Sequence, residues 1–574
     1  MTDKTQSKPH VVEITALLFW CFLIFFRLGI GELQSWDEGL YAVRARACLE
    51  FNTWLDQTDY AAGELYSSSH PPLGVWLTAA SFAAFGINEW SARLPAALAG
   101  ALLIITLHFF LRKRFSMTAA LMGSGSLALA FHFLWYSRHG QLDSLQLLFT
   151  GLGFFFFIRL LEHRRSSDVL WCGVFLGLSL LSKFLVSGLA IAAWLPALWI
   201  AENRWARKAF PVSLLIAFAV SAPWYIFMAV SHPGFLSHLV GAVQAITLTG
   251  YTALPSRAWW YYFNQVLIAL PLLPLALVGR TSTGPRKTLW NISLTWFLFV
   301  LVVLTLSVTK MPHFTLHLLL PGALLIASSF ERVRACSVKS AALLVAAVGI
   351  TTSWSLSELV RMSVKAMALR PDAVPALLTA VGIISITAVT VAIIVNRKLP
   401  AAKAAVPFLS AILVLLSLVT LWKQATRPEA VYTSGAREIR SWPGLSSISH
   451  LLIIHRPTRY SRYQPQLAFY LDGWTLGWQK GRTSVSIPWD QPDSIRTFLV
   501  SKALPSTRTA VIWSRPWNTL ARLNNSEQAQ IARLDSLLRR LCIEKLNTRN
   551  YRLYTPRDIE EPSSSGQDIQ AKRR

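Results

Sequence analysis

The stretch PPLGVWLTAASFAAFG, residues 71–86, decides how the rest of this chain is threaded. It is apolar enough to enter a membrane, yet it opens on two prolines and falls short of the about 20 residues that cross a bilayer core. Thirteen other apolar runs recur at 12–30, 91–111, 116–136, 141–161, 169–182, 184–200, 209–230, 263–279, 288–308, 314–330, 340–357, 373–396 and 404–423. Counting 71–86 as a crossing would flip every later basic cluster to the outside. Leaving it out gathers Arg112-Lys113-Arg114, Arg159/Arg164/Arg165, Arg204/Arg207/Lys208, Arg280/Arg286/Lys287, Arg332/Arg334/Lys339 and Arg397/Lys398/Lys403 on one side, together with Lys4 and Lys8. Basic residues collect on the cytoplasmic side of membrane proteins. The stretch is therefore read as an interfacial or re-entrant helix. The expectation is 13 spans, with the N-terminus inside and everything after residue 423 outside.

Composition agrees with that class. The 574 residues are 53% hydrophobic and 15% charged, with a mean hydropathy of +0.42, far more apolar than a soluble fold requires. The expected fold class is an all-α polytopic membrane domain with interfacial helices in the first outer loop, plus a small extracytoplasmic α/β domain. The boundaries read as 1–423, 424–560 and a disordered tail at 561–574. The net charge of +26 reads as inner-loop Lys and Arg, so no nucleic-acid partner is expected. The cysteines at 21, 48, 172, 336 and 542 have no CxxC or Cys/His metal spacing. The first apolar run lacks a small-residue cleavage site and reads as a permanent span.

Once the topology is set, the ionisable residues hardest to explain fall on the outer face: Asp37, Glu38, His70, Arg138, His139, Asp143, Lys183, Arg257, Lys310, His313 and His317. Charges at a membrane edge are costly and mark function by default. Asp37 and Glu38 lie in LQSWDEGLYAVRARACLE, 33–50. A capping box from Ser35 to Glu38 accounts for Glu38, and Asp37 is favourable at a helix N-terminus. The helix EGLYAVRARACLE is expected to lie along the membrane surface. Asp143 sits about one turn into a span, where a carboxylate must pair with a cation such as Arg138 or bind something. Lys183, between two apolar runs, either snorkels or faces an anionic ligand. Lys310 and His313 mark an outer span edge, as interfacial anchors or ligand contacts. His70 can donate to a phosphate or bind a metal. Cations at such a site suit a phosphate or pyrophosphate, a carboxylate suits a general base, and a phosphate-linked lipid fits both.

The order of these motifs resembles the multi-spanning C-type glycosyltransferases that use lipid-phosphate sugars, among them the bacterial aminoarabinose (lipid A) transferases and the dolichyl-phosphate-mannose protein mannosyltransferases. The matching pieces are WDEGLYAVRAR (36–46), HPPLGVWLTAASFAAFGINEWSARLPAALAG (70–100), RHGQLDS (138–144), LSLLSKFLVSGLAIAAWLP (178–196) and KMPHFTLHLLLPGALL (310–325). The resemblance implies a catalytic carboxylate at Asp37, a second acidic position at Asp143, and Lys183 facing the donor phosphate, joined there by Lys310, Arg138 and His70. Glu38, His313 and Arg257 are further candidates. It implies transfer of a sugar, with inversion, from a polyprenyl-phosphate donor to an extracytoplasmic lipid, glycan or protein acceptor at a bacterial inner membrane. No cofactor is required. A divalent metal is compatible but not indicated, since there is no DxD. Leu40 stands where relatives carry a basic residue and Phe314 where a Tyr is common, and the loop before Arg257 holds no other Arg.

Residues 424–574 carry 23 Lys and Arg against 12 Asp and Glu. Strand-like runs (HLLIIH, QLAFYL, TAVIW, YRLYTP) alternate there with helical ones near 492–502 and 526–543. Their basic surface suits anionic headgroups or an acidic glycan. Two rival readings are a transporter or flippase of lipid-linked saccharides, which would carry paired repeats, and an O-antigen-ligase-like transferase with a diphosphate-linked donor.

Overall fold

The computed structural model describes residues 7–34, 37–62, 64–200, 203–250, 257–278, 284–333, 344, 346–358, 409, 411–413, 415–417, 419–420, 435–455, 464–500, 508–514, 525–548 and 551–557. They divide into two compact units. One comprises Met1–Gly31, Arg44–Gln57 and Leu65–Val431, the other Glu32–Val43, Thr58–Glu64 and Tyr432–Arg574.

The first unit is helical. Its elements are α1 (Ser7–Phe25), the second half of α2 (Asp37–Phe51), α3 (Leu73–Phe85), α4 (Glu89–Arg112), α5 (Met117–Leu129), α6 (Phe131–Ser137), α7 (Asp143–Glu162), α8 (Ser166–Ser182), α9 (Phe184–Trp194), α10 (Arg204–Ser231), α11 (Phe235–Gln244), α12 (Tyr261–Ala269), α13 (Gly284–Leu306) and α14 (Leu316–Val333). Among the described residues five helices are long and apolar enough to cross a membrane. They become six if α5 and α6, bent by 63° where they meet, form one span. The chain is a multi-pass helical membrane protein. The expected run at 373–396 lies outside the described residues, and 404–423 lies largely outside them.

Local chemistry explains the helix starts. α4 opens on a capping box in which Asn88 Oδ1 accepts from the Ser91 amide and Ser91 Oγ accepts from the Asn88 amide. The Ser116 side chain accepts from the Ala119 amide at the head of α5, and Asn203 Oδ1 accepts from Trp205 and Ala206 at the head of α10. α3, the helix of the opening stretch, has 13 residues, about 20 Å of rise against a core of about 30 Å.

Small residues let these helices close on one another. A Cβ at Gly173 would stand 2.5 Å from the Ser213 carbonyl oxygen, and one at Gly177 2.8 Å from that of Ala217, so α8 meets α10 backbone to backbone. Gly173→Val should therefore lower thermal stability in lipid by about 1–3 kcal/mol. A melting midpoint equal to wild type would show that the two helices can part without loss.

The helix expected at 38–50 to lie along the membrane surface is enclosed by protein. From Glu38 to Cys48 every residue of α2 is buried, Arg44 completely so. Arg44 donates to Gln57 Oε1 at 2.9 Å and to the His70 carbonyl at 3.0 Å, and Arg46 pairs with Glu50 at 2.6 Å. The polar face that reads as interfacial is satisfied by protein groups instead of water or lipid heads.

The second unit holds a five-stranded sheet. Its strands are β1 (His450–His455), β2 (Thr483–Pro488), β3 (Thr509–Ser514), β4 (Cys542–Asn547) and β5 (Tyr551–Pro556). The order is β2-β1-β3-β5-β4. β1 runs parallel to β2 and β3, and β5 antiparallel to β3 and β4. Its helices are α15 (Ala436–Arg440), α16 (Pro465–Tyr470), α17 (Pro492–Val500) and α18 (Asn525–Leu541). QLAFYL, expected as a strand, is most of α16. Pro465 sits in the first turn, where a missing amide hydrogen is harmless. All six helix residues are buried, so the run shows no polar alternation that could tell a strand from an enclosed helix. β2 and β4 escaped the sequence reading because most of their residues are exposed or half-exposed.

Residues 32–43 belong with this unit through specific contacts. The Leu33 amide donates to the Tyr470 hydroxyl at 2.9 Å, and the Arg437 amide donates to Glu32 Oε1 at 2.9 Å. Gly39 lies so close to α16 that a Cβ there would stand 2.7 Å from the Gln466 amide nitrogen.

Candidate active site

In the first unit, the break between α8 and α9 positions the central cation. Lys183 is the C-cap of α8 and the N-cap of α9, in extended backbone with φ −161° and ψ 99°. Its ammonium donates to Asp143 Oδ1 at 2.9 Å. Asp143 is the first residue of α7 and only 3% exposed. The pair thus joins the N-terminal ends of α7 and α9, neither of which has a side-chain cap. Helix starts carry unpaired amide hydrogens and positive potential, which favours a bound anion.

A polar ladder behind Lys183 holds the break. Ser187 Oγ donates to the Lys183 carbonyl at 2.8 Å and shares a 2.6 Å contact with Ser179 Oγ. Ser179 reaches Thr150 at 2.7 Å, and Gln146 Nε2 donates to Thr150 and Ser187. The sequence carried a signal for this ladder that was passed over. Gln146 and Thr150 stand four apart on α7 and share its face, and Ser179, Lys183 and Ser187 recur every fourth residue in apolar surroundings across the break.

His313 and His317 lie within electrostatic reach of Asp143, and His70 within reach of His313. The Tyr136 ring meets His313 edge-on at 6.1 Å. His317 Nε2 is buried with no hydrogen-bond partner. Lys183, Asp143, His313, His317 and His70 thus form one cluster, although the sequence reading ranked His317 below its neighbours.

The other expected members stand elsewhere. Arg138 does not pair with Asp143. It donates to the Leu23 and Ile24 carbonyls at 2.7 and 2.8 Å and closes the end of α1. Carbonyls at a helix C-terminus lack intrahelical donors, and a guanidinium meets two of them at once. Arg138→Ala should therefore reduce stability by about 1–3 kcal/mol while leaving turnover per folded molecule within about twofold. A large turnover loss at unchanged stability would return Arg138 to the reaction. Lys310 donates to the Ser307 carbonyl at 2.7 Å, and burial lowers its ammonium pKa below the ordinary value. Arg257 bonds the Tyr261 hydroxyl and stacks 4.5 Å from that ring. Next door, Tyr262 was missed by the sequence reading. Its hydroxyl accepts from the Met311 amide at 2.9 Å and donates to the Met311 carbonyl at 3.2 Å, anchoring the segment before His313.

Asp37 and Glu38 belong to the second unit. Glu38 is 1% exposed and its Oε2 accepts from the Gln34 amide at 2.7 Å, just ahead of the helix start. Asp37 is half-buried in the first turn of α2. The thiols of Cys48 and Cys542 are pushed up to about 11 and about 12 by burial, which leaves neither as a thiolate nucleophile near neutral pH. Among the described residues no group of three or more His, Cys, Asp and Glu stands together as a metal-holding set.

Residues 69–227 match the model of the dolichyl-phosphate-mannose-protein mannosyltransferase family. This segment includes His70, Arg138, Asp143 and Lys183. An undecaprenyl phosphate-alpha-4-amino-4-deoxy-L-arabinose arabinosyl transferase of Pseudomonas savastanoi pv. phaseolicola is 27% identical over 325 residues, 55% of this chain and 60% of that protein. The chain resembles the membrane glycosyltransferases. A second arabinosyl transferase of the same description, from Pseudomonas fluorescens, is 25% identical over 56% of this chain and 57% of its own length. The match therefore spans about three fifths of these curated relatives. The resemblance extends to the fold. The crystal structure of ArnT from Cupriavidus metallidurans bound to undecaprenyl phosphate superposes with a TM-score of 0.64 at 17% identity, over 95% of this chain and 97% of that one.

Proposed function

We propose that this protein is a glycosyltransferase that moves a sugar from a polyprenyl-phosphate donor to an extracytoplasmic lipid, glycan or protein acceptor. The observation that carries it is the Lys183–Asp143 pair at the starts of α7 and α9, with the unpartnered Nε2 of His317 within the same cluster. A cation, two helix N-termini and an imidazole suit a sugar-bearing phosphate. The arabinosyl transferases similar to this chain are named for such a donor, and the similar crystal structure holds undecaprenyl phosphate.

In the reaction, an acceptor oxygen or nitrogen attacks the anomeric carbon opposite the phosphate. The bond between that carbon and the phosphate oxygen breaks, and its electron pair leaves with the polyprenyl phosphate. Lys183 stabilises the charge gathering there. The acceptor proton goes to a carboxylate base, assigned to Asp37, and the anomeric configuration inverts. Asp143 holds the Lys183 ammonium in place. The protein sits in a bacterial inner membrane with its N-terminus in the cytoplasm. The helical unit forms the membrane domain, and the sheet-bearing unit, which takes in Glu32–Val43 and Thr58–Glu64, the outer one.

The experiment is release of free polyprenyl phosphate from a panel of polyprenyl-phosphate sugars by the purified protein in lipid, with and without cell-envelope acceptors. Release that depends on Lys183 supports the proposal. No release from any donor, with every acceptor present, refutes it.

A further inference from the structure

The second unit holds a pocket that the transfer chemistry does not use. Its volume is ≈ 370 Å³, and it is lined by Arg440, Trp442, Tyr470, Asp472, Trp474 and Arg482 among others. The Arg482 guanidinium stacks 4.6 Å from the ring centre of Trp474, which is buried, and donates to Gln479 Oε1 at 3.0 Å. Its plane is therefore held by an indole and a neutral amide, with its charge uncompensated by either. Arg440 is half-exposed and stands 3.6 Å from the Asp472 carboxylate. Trp442 is half-exposed and its indole lies across Gly444, where any Cβ would collide with the ring.

Each wall suits one part of a charged sugar. Two guanidiniums suit a phosphate or carboxylate substituent. The Asp472 carboxylate can accept hydrogen bonds from hydroxyls, and the half-exposed Trp442 indole suits the C–H face of a pyranose. A peptide or an acyl chain would use little of this. Two contacts link the pocket to the segment carrying Asp37. Tyr470, a lining residue of the pocket, accepts from the Leu33 amide at 2.9 Å through its hydroxyl. Arg440 ends α15, whose first turn is held to Glu32 through the Arg437 amide.

From this chemistry we infer that the pocket is a binding site for an anionic saccharide, the part of the acceptor that this unit holds during transfer. The saccharide site stands on the pocket alone. Its role in holding the acceptor rests on the transferase proposal above.

The test uses the full-length protein in lipid nanodiscs. Saturation-transfer NMR is recorded with glucose 1-phosphate, glucose and inorganic phosphate, for wild type, Arg482→Gln and Trp442→Leu. The expected result is a glucose 1-phosphate signal at least fivefold weaker in Arg482→Gln and at least twofold weaker in Trp442→Leu. Glucose should give the weaker signal in wild type, and acceptor-independent donor cleavage should stay within twofold in both variants. Equal signals in wild type and both variants would overturn the site. So would complete displacement of the sugar phosphate by an equal concentration of inorganic phosphate, which would make it a simple anion site. If Arg482-dependent binding is found but no polyprenyl-phosphate sugar is cleaved, the saccharide site stands and the transferase proposal falls.

Discussion

Lys183→Ala should lower polyprenyl-phosphate release by about 10²–10³-fold, the range expected when a preorganised charge facing a departing anion is removed. It should also destabilise the fold, because it strands the Asp143 carboxylate, which is 3% exposed. Breaking one side of a buried pair costs about 3–5 kcal/mol. These two effects are separable. Lys183→Ala combined with Asp143→Ala removes the stranded charge and should recover much of the stability. If Lys183 only ties α7 to the break between α8 and α9, the double variant recovers turnover as well. If Lys183 serves the donor phosphate, turnover stays low in a protein that melts near wild type. Thermal melts beside release rates for the four proteins of this cycle decide between them, and recovery of both would end the donor role.

Asp37→Asn should reduce transfer to acceptor by about 10²–10⁴-fold, the usual effect of removing a general base. Asn has nearly the shape of Asp. The change loses only a carboxylate at a helix start, about 0.3–1 kcal/mol, so folding and donor binding should survive. Glu38→Gln is the contrast. Glu38 is buried and accepts from the Gln34 amide, so its loss should appear as about 0.5–2 kcal/mol of stability and leave turnover within about twofold. Transfer rates, donor affinity and melting midpoints for the two variants test the pair. Transfer retained in Asp37→Asn would remove Asp37 from the mechanism. Full loss in Glu38→Gln at unchanged stability would move the base one residue along.

Much of this was legible in the linear chain because membranes leave strong signals. An apolar run of about 20 residues, a one-sided Lys and Arg distribution and a carboxylate at the start of an apolar span are all read without contacts. Hence the helical membrane class, the α/β character of the C-terminal region, and the interest of Asp143 and Lys183 came from sequence alone. The same signals fail where burial comes from protein instead of lipid. The helix from Asp37 looked amphipathic, and QLAFYL looked like a strand. Both are enclosed by other parts of the fold, and neither periodicity nor composition records what encloses them.

The partners of each charge were likewise decided only by tertiary structure. Arg138 lies five residues from Asp143 in sequence, yet its guanidinium closes the end of α1 and the pairing cation comes from Lys183, forty residues away. Sequence proximity says little about which helix ends meet, because pairing follows from how apolar faces pack. Leu33 and Tyr470, and Glu32 and Arg437, meet across some four hundred residues for the same reason. Residue types and their spacing determined what kinds of chemistry this protein carries. Only the packing of its helices and sheet decided which charges face each other, because a desolvated charge accepts whichever partner the fold brings within reach.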